Sequence, residues 1–198
     1  INRRHESPDE PMDDIWLALR EVITGAEGYG TFPFEELAES LTELGTYIRD
    51  SDAFDALYTV IAEVQAQRTG EGEAATMLVT RGHQKLEQGE PYEAIRWFGK
   101  AIDRLVKKEF ERELMLALGG LAMAYDRAGL WWAARVCALS VISHQVTAGT
   151  MVDGSLSAIS PAMLHGLMRM ELSLGRVGYA MLTHQLEIRH LLRATDLD

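Results

Sequence analysis

The sequence predicts an all-α protein: a stack of helical hairpins preceded by about three further helices. Three observations carry this prediction. A similar phrase recurs three times, as Gly89-Glu90-Pro91-Tyr92-Glu93-Ala94, Gly129-Leu130-Trp131-Trp132-Ala133-Ala134 and Gly175-Arg176-Val177-Gly178-Tyr179-Ala180. Each time an alanine follows a glycine by five residues, and each copy lies between two stretches with apolar residues at helical spacing. Alternating β-branched residues are missing throughout, so no strand is expected. A repeated helix pair cannot bury its apolar face alone and must stack on a neighbour.

The elements follow in order. Residues 1–11 are polar, charged and carry two prolines, which reads as a disordered lead-in. Ile15, Trp16, Leu19, Val22 and Ile23 recur at helical spacing and predict a helix over about 12–26, broken by Gly25, Gly28 and Gly30. Thr31-Phe32-Pro33 opens a second helix, with Glu35 and Glu36 at its positive end and Leu37, Leu41, Leu44 and Ile48 as its stripe. Asp50-Ser51-Asp52 reads as a turn and cap, and Phe54, Leu57, Val60, Ile61 and Val64 form the apolar side of a third helix. Thr69-Gly70-Glu71-Gly72 marks a break, so residues 12–72 are one acidic helical region and 73–198 the repeat region.

The first hairpin is expected over about 73–107, with helices at 73–87 and 91–107. The second spans about 110–146, with helices at 110–127 and 131–146. The third spans about 161–193, with helices at 161–173 and 177–193. Each turn glycine suits the left-handed residue that closes many helices. Pro91 and Pro161 stand where helices begin. Residues 147–160 read as an insertion.

Composition sets limits. The 198 residues are 47% hydrophobic and 25% charged, enough for a normal core. No apolar run approaches the roughly 18 residues of a membrane span. The chain begins with Ile1, which reads as a piece of a longer protein. The single cysteine, Cys137, excludes an intrachain disulfide and a thiolate zinc cluster, and fits a reducing, cytoplasmic setting. The net charge is −11; residues 1–72 hold sixteen carboxylates against five basic residues, and 73–198 hold fourteen of each. An acidic front end disfavours nucleic acid, for which a basic surface supplies most of the affinity.

The repeats resemble those of the tetratricopeptide family. Gly82, Gly89, Ala94, Phe98 and Ala101 match the small-or-aromatic positions of one copy, and Leu118, Leu121, Ala122, Tyr125, Gly129, Ala134 and Ala138 a second. A third, with Leu164, Leu167, Gly175 and Ala180, has Met168 where a small residue is usual and Glu171 where an aromatic is usual. Turn glycines stand 40 and then 46 residues apart, against about 34 in that family.

The resemblance implies an α-solenoid whose first helices line a groove for a peptide. The implied groove face is Thr76, Val79, His83, Leu116, Gly119, Met123, Asp126, Arg127, His165 and Arg169. The Lys and Asn clamp with which some relatives hold acidic chaperone tails is absent, since Val79, His83, Gly119 and Met123 occupy its positions.

Other features stand apart from the resemblance. Arg96, Lys100, Arg104, Lys108 and Arg112 follow at intervals of four and would form a basic ridge on a continuous helix. Trp97-Phe98 and Trp131-Trp132 are adjacent aromatics, so one of each pair is expected in the core and the other near the surface; Trp131 or Trp132 is a candidate interface anchor. Glu187 and His190 have the spacing of a helical metal site, but only one such pair exists.

The expected function is a non-catalytic protein–protein interaction module, with no cofactor and a protein or peptide partner, and with either a homo-oligomer or other domains of a parent protein as a further contact. Two alternatives are a regulator sensing a peptide or small ligand, and a helical metal-dependent enzyme in which His165, His184, Glu187 and His190 converge.

Overall fold

In the computed structural model, residues 12–25, 33–48, 51–152 and 160–195 are described; the expected lead-in at 1–11 and most of the loop after residue 152 lie outside them. The described residues are helical, without a strand: α1 (Asp13–Gly25), α2 (Phe34–Gly45), α3 (Asp52–Arg68), α4 (Glu71–Glu87), α5 (Pro91–Arg104), α6 (Glu111–Arg127), α7 (Trp131–Val152), α8 (Pro161–Ser173) and α9 (Val177–Thr195). Two compact units are present, residues 1–78 and 79–198, with the boundary inside α4.

The first unit is built on α3. Ser51 is extended at its N-terminus and accepts the Phe54 N–H at 3.0 Å, a standard cap. The same hydroxyl donates to Asp13 Oδ1 at 2.6 Å and so ties the start of α3 to that of α1. Trp16 meets Phe54 edge-on at 5.2 Å, and the buried Tyr58 hydroxyl donates to the Met77 carbonyl at 3.0 Å.

In the second unit the three recurring phrases form three bends of one geometry. Gly89, Gly129 and Gly175 have φ of +83°, +75° and +70°. The next residue's N–H reaches back five positions each time: Glu90 to Lys85, Leu130 to Tyr125 and Arg176 to Glu171, at 2.9, 2.9 and 2.8 Å. This closure satisfies carbonyls that the end of a helix would otherwise leave open. The alanines that follow, Ala94, Ala134 and Ala180, are all buried, where their size lets the paired helices approach.

Side chains at the equivalent bend positions differ in kind. Lys85 Nζ pairs with Glu90 at 2.8 Å in the first, while Tyr125 and Leu130 stand there in the second. In the third the signs invert, and buried Glu171 faces Arg176 at 2.8 Å.

Phe98 is the centre of the first core. Its ring, fully buried, lies between Gly82 of α4 and Gly120 of α6. A Cβ at Gly82 would come within 2.9 Å of the ring, and one at Gly120 within 2.4 Å. Leu86, Ala94, Leu121 and Ala124 complete this cluster. A second joins Ala122, Ala134 and Ala138 to Leu167 and Met170 of α8. Cys137 is half-buried and packs against both clusters, and burial raises its thiol pKa.

Three expectations need correction. The basic ridge is not continuous, because α5 ends at Arg104 and a 3-10 turn at Lys108–Phe110 separates it from α6. Trp97 and Phe98 are both buried, whereas Trp131 and Trp132 are both exposed, so neither pair divides as expected. Lys100 covers the Trp97 ring at 4.3 Å, which lets an indole near the helix edge leave water. Finally, α7 runs on through residues 147–152, placed in the insertion by the sequence reading, since TAGTMV carries no proline or helix-closing pair.

Replacing Gly120 with alanine is expected to destabilise the protein by about 1–3 kcal/mol through overpacking against Phe98. Gly99→Ala, where an added Cβ meets nothing within 4 Å, should instead stabilise α5 by roughly 0.5–1 kcal/mol. Urea unfolding of the two variants beside wild type checks the pair.

Candidate functional site

A concavity in the second unit opens over α6. Gly119 and Gly120 leave the middle of that helix without side-chain bulk, and Leu116 and Met123 flank the gap on the same face. The spacing 116, 119, 120, 123 is one face of a helix. Neighbouring helices raise the walls: His83 from α4, Val141, His144 and Gln145 from α7, and Met163 with the preceding Ser160 from the start of α8. The cleft is open to solvent and has a volume of about 720 Å³. Its apolar lining is rich in methionine, through Met115, Met123 and Met163, and such side chains adapt to irregular partners.

Polar groups sit at defined points. Glu111 and His144 pair at 3.1 Å across α6 and α7. Gln145 accepts the Ser160 N–H at 3.4 Å, which holds the start of α8 against α7. His83 rests edge-on against Phe98 with ring centroids 5.1 Å apart. Its burial lowers its pKa below the ordinary histidine value, an effect that Glu87 partly opposes. It is therefore neutral at pH 7 and presents one donor and one acceptor nitrogen.

Four of the positions implied by the family resemblance, His83, Leu116, Gly119 and Met123, come together here. The others do not join them. Thr76 lies on α4 within the first unit, with its hydroxyl donating to the Gly72 carbonyl at 3.0 Å. Asp126 and Arg169 pair with each other at 2.6 Å and link α6 to α8. Arg127 donates to the Leu86 carbonyl at 2.6 Å and links α6 to the end of α4. His165 lies against Glu187 at 3.3 Å, and His184 approaches the other oxygen of the same carboxylate at 3.4 Å. Three of the four groups of the metal-enzyme alternative are thus neighbours. The side chain of His190 lies outside the described residues, and no three His, Cys, Asp or Glu side chains among those described are arranged to hold a metal ion.

Sequence reasoning missed the second wall of the cleft. It assigned the groove to the first helix of each pair, while Val141, His144 and Gln145 belong to the second helix of a hairpin. The adjacent glycines 119 and 120 in a helix interior were the available signal, because each costs the helix about 1 kcal/mol relative to alanine.

A second cluster surrounds Trp132. Arg135 and Arg176 lie 5.8 and 5.5 Å from its ring centroid, and Arg176 also covers Tyr179 at 4.2 Å. Buried Glu171 is the counterion for both cations. It accepts from Arg135 Nε at 2.6 Å, while Arg176 Nε is 2.8 Å from its other oxygen, in charge contact but out of line for a hydrogen bond. Trp131 and Trp132 are therefore on an exposed face apart from the cleft lining.

No family model, no curated protein and no solved structure matches this chain. Among the described residues, no helix is long and apolar enough to cross a membrane.

Two measurements test this geometry. Because His83 binds its proton less readily folded than unfolded, its contribution to stability is present above the ordinary histidine pKa of about 6.5 and is lost as pH falls through the lower folded value. His83→Gln should therefore lose less melting temperature than wild type between pH 7.5 and 5. Glu171→Ala, which leaves two arginines without their counterion, should cost about 3 kcal/mol in denaturant unfolding.

Proposed function

We propose that this chain is a non-catalytic interaction module of tetratricopeptide-like helical hairpins, arranged as a solenoid, that holds a peptide segment in the cleft over α6. The observation that carries the reading is the glycine-floored, methionine-lined cleft of about 720 Å³. From Glu111 to Met123 the α6 face rises about 18 Å, the length of three helical turns. The exposed apolar side chains Leu116 and Met123 lie on that face, where water contact gives them no compensation until a partner covers them. The rim groups Glu111, Arg112, His144 and Gln145 suit a partner with a polar edge beside an apolar one.

The floor supports the same reading. An added Cβ at Gly119 would meet only Met163 Cε, at 3.6 Å, so packing does not by itself demand glycine there. An open floor for a ligand backbone does account for it. The Asp126–Arg169 and Arg127–Leu86 links set the positions of α4, α6 and α8 around the cleft and act as its frame.

Twelve-residue peptides selected from a random display library against the wild-type chain should bind in this cleft. Gly119→Leu, which fills the floor, and Met123→Glu, which charges the wall, should each weaken binding at least about tenfold by fluorescence anisotropy, equivalent to about 1.4 kcal/mol. Trp132→Ala should leave it unchanged. Selection that yields no binder, or binders indifferent to both cleft substitutions, rules the reading out.

A further inference from the structure

We infer that this chain self-associates head to tail, with the exposed apolar stripe of α1 in one molecule docking on the outer face of α9 in another. Among its described side chains, α9 buries one side, through Ala180, Thr183 and the largely covered Glu187. Its other side is apolar and open. Met181, Leu182, Leu186 and Leu192 are all exposed, Leu182 to 59%. Tyr179 and the arginine-flanked Trp132 continue this face, and Tyr, Trp and Arg are the residue types that most often anchor interfaces. A terminal repeat normally carries a polar outer face, because nothing stacks on it.

The helix α1 has the complementary character. It buries Trp16 and Ile23 and leaves Ile15, Leu17 and Val22 exposed, Val22 to 56%. Ile15 and Val22 stand seven residues apart, two turns along one face. The 13 residues of α1 rise about 20 Å and the 19 of α9 about 28 Å, so the shorter stripe fits on the longer one.

Charge selects this pairing over a symmetric one. The α1 stripe is flanked by the exposed Asp14 and Glu21, in a region that holds the whole net charge of −11. The only carboxylate of α9 is Glu187, largely buried between two histidines, while Arg189 is exposed. The neighbouring Arg135, Arg176 and Glu171 sum to one positive charge. Two α9 faces would bring like charges together, and so would two α1 faces. The opposite faces attract. A contact that joins two different surfaces is heterologous and continues into rings or filaments.

Sedimentation velocity tests this. The weight-average sedimentation coefficient should rise over about 1–100 µM, the range of a small transient interface, and rise less in high salt. Ile15→Glu and Leu182→Glu should each be monomeric alone, and an equimolar mixture should form a species of twice the monomer mass and nothing larger. Val22→Glu and Leu186→Glu provide a second pair, and unchanged helical circular dichroism and melting show that each variant is folded. A wild-type chain that stays monomeric throughout overturns the inference. So does an Ile15→Glu variant that still dimerises when Leu182→Glu does not, since that pattern belongs to symmetric α9 pairing.

Discussion

The second unit depends on one contact: the ring of Phe98 held between two glycines on different helices. Gly82 and Gly120 leave a slot that a single methyl group on either side would close. Interiors are packed so densely that a ring in such a slot fixes the separation of the backbones around it. The helices α4, α5 and α6 are thereby set together at one point, and the rest of the unit extends from α6. Gly120 faces the ring, and its neighbour Gly119 opens onto the cleft. Adjacent positions on one helix thus serve the core and the cleft, and the helical propensity lost at both is offset by packing at the first.

Around that point, polar links hold the frame while the cleft itself remains apolar. Arg127 satisfies a carbonyl at the end of α4, Asp126 takes Arg169 from α8, and Glu111 takes His144 from α7. Each joins α6 to a different helix. A neutral His83 beside the Phe98 ring avoids a buried charge at the inner end of the cleft. The arrangement places polar groups at the rim and leaves adaptable methionine side chains within.

Much of this was legible in the sequence. Apart from the far end of α7, the periods of apolar residues located the helices to within a few positions, because an amphipathic face must recur every three or four residues to be buried. The turn glycines located all three bends, because only glycine adopts that backbone without strain. The site was less legible. One wall of the cleft comes from α7, whose apolar residues are spread around the helix and give no face. The basic ridge depended on helix continuity, which the turn at Lys108–Phe110 removes. Trp97 is buried under Lys100 from the next turn of its own helix, while Trp132 stands exposed beside Arg135 and Arg176. Adjacent positions in the sequence could not distinguish them.

The three bends share a backbone but carry different locks. Lysine then glutamate stands across the first, tyrosine then leucine across the second, and glutamate then arginine across the third. The bends are individually keyed, so the hairpins are not interchangeable parts. Grafting the arginine of the third bend into the first would confront Lys85 with a second cation, and both members of a pair must travel together for a transplanted bend to close. The first and third hairpins are thus told apart by the charges at their corners, independently of the oily surfaces between them.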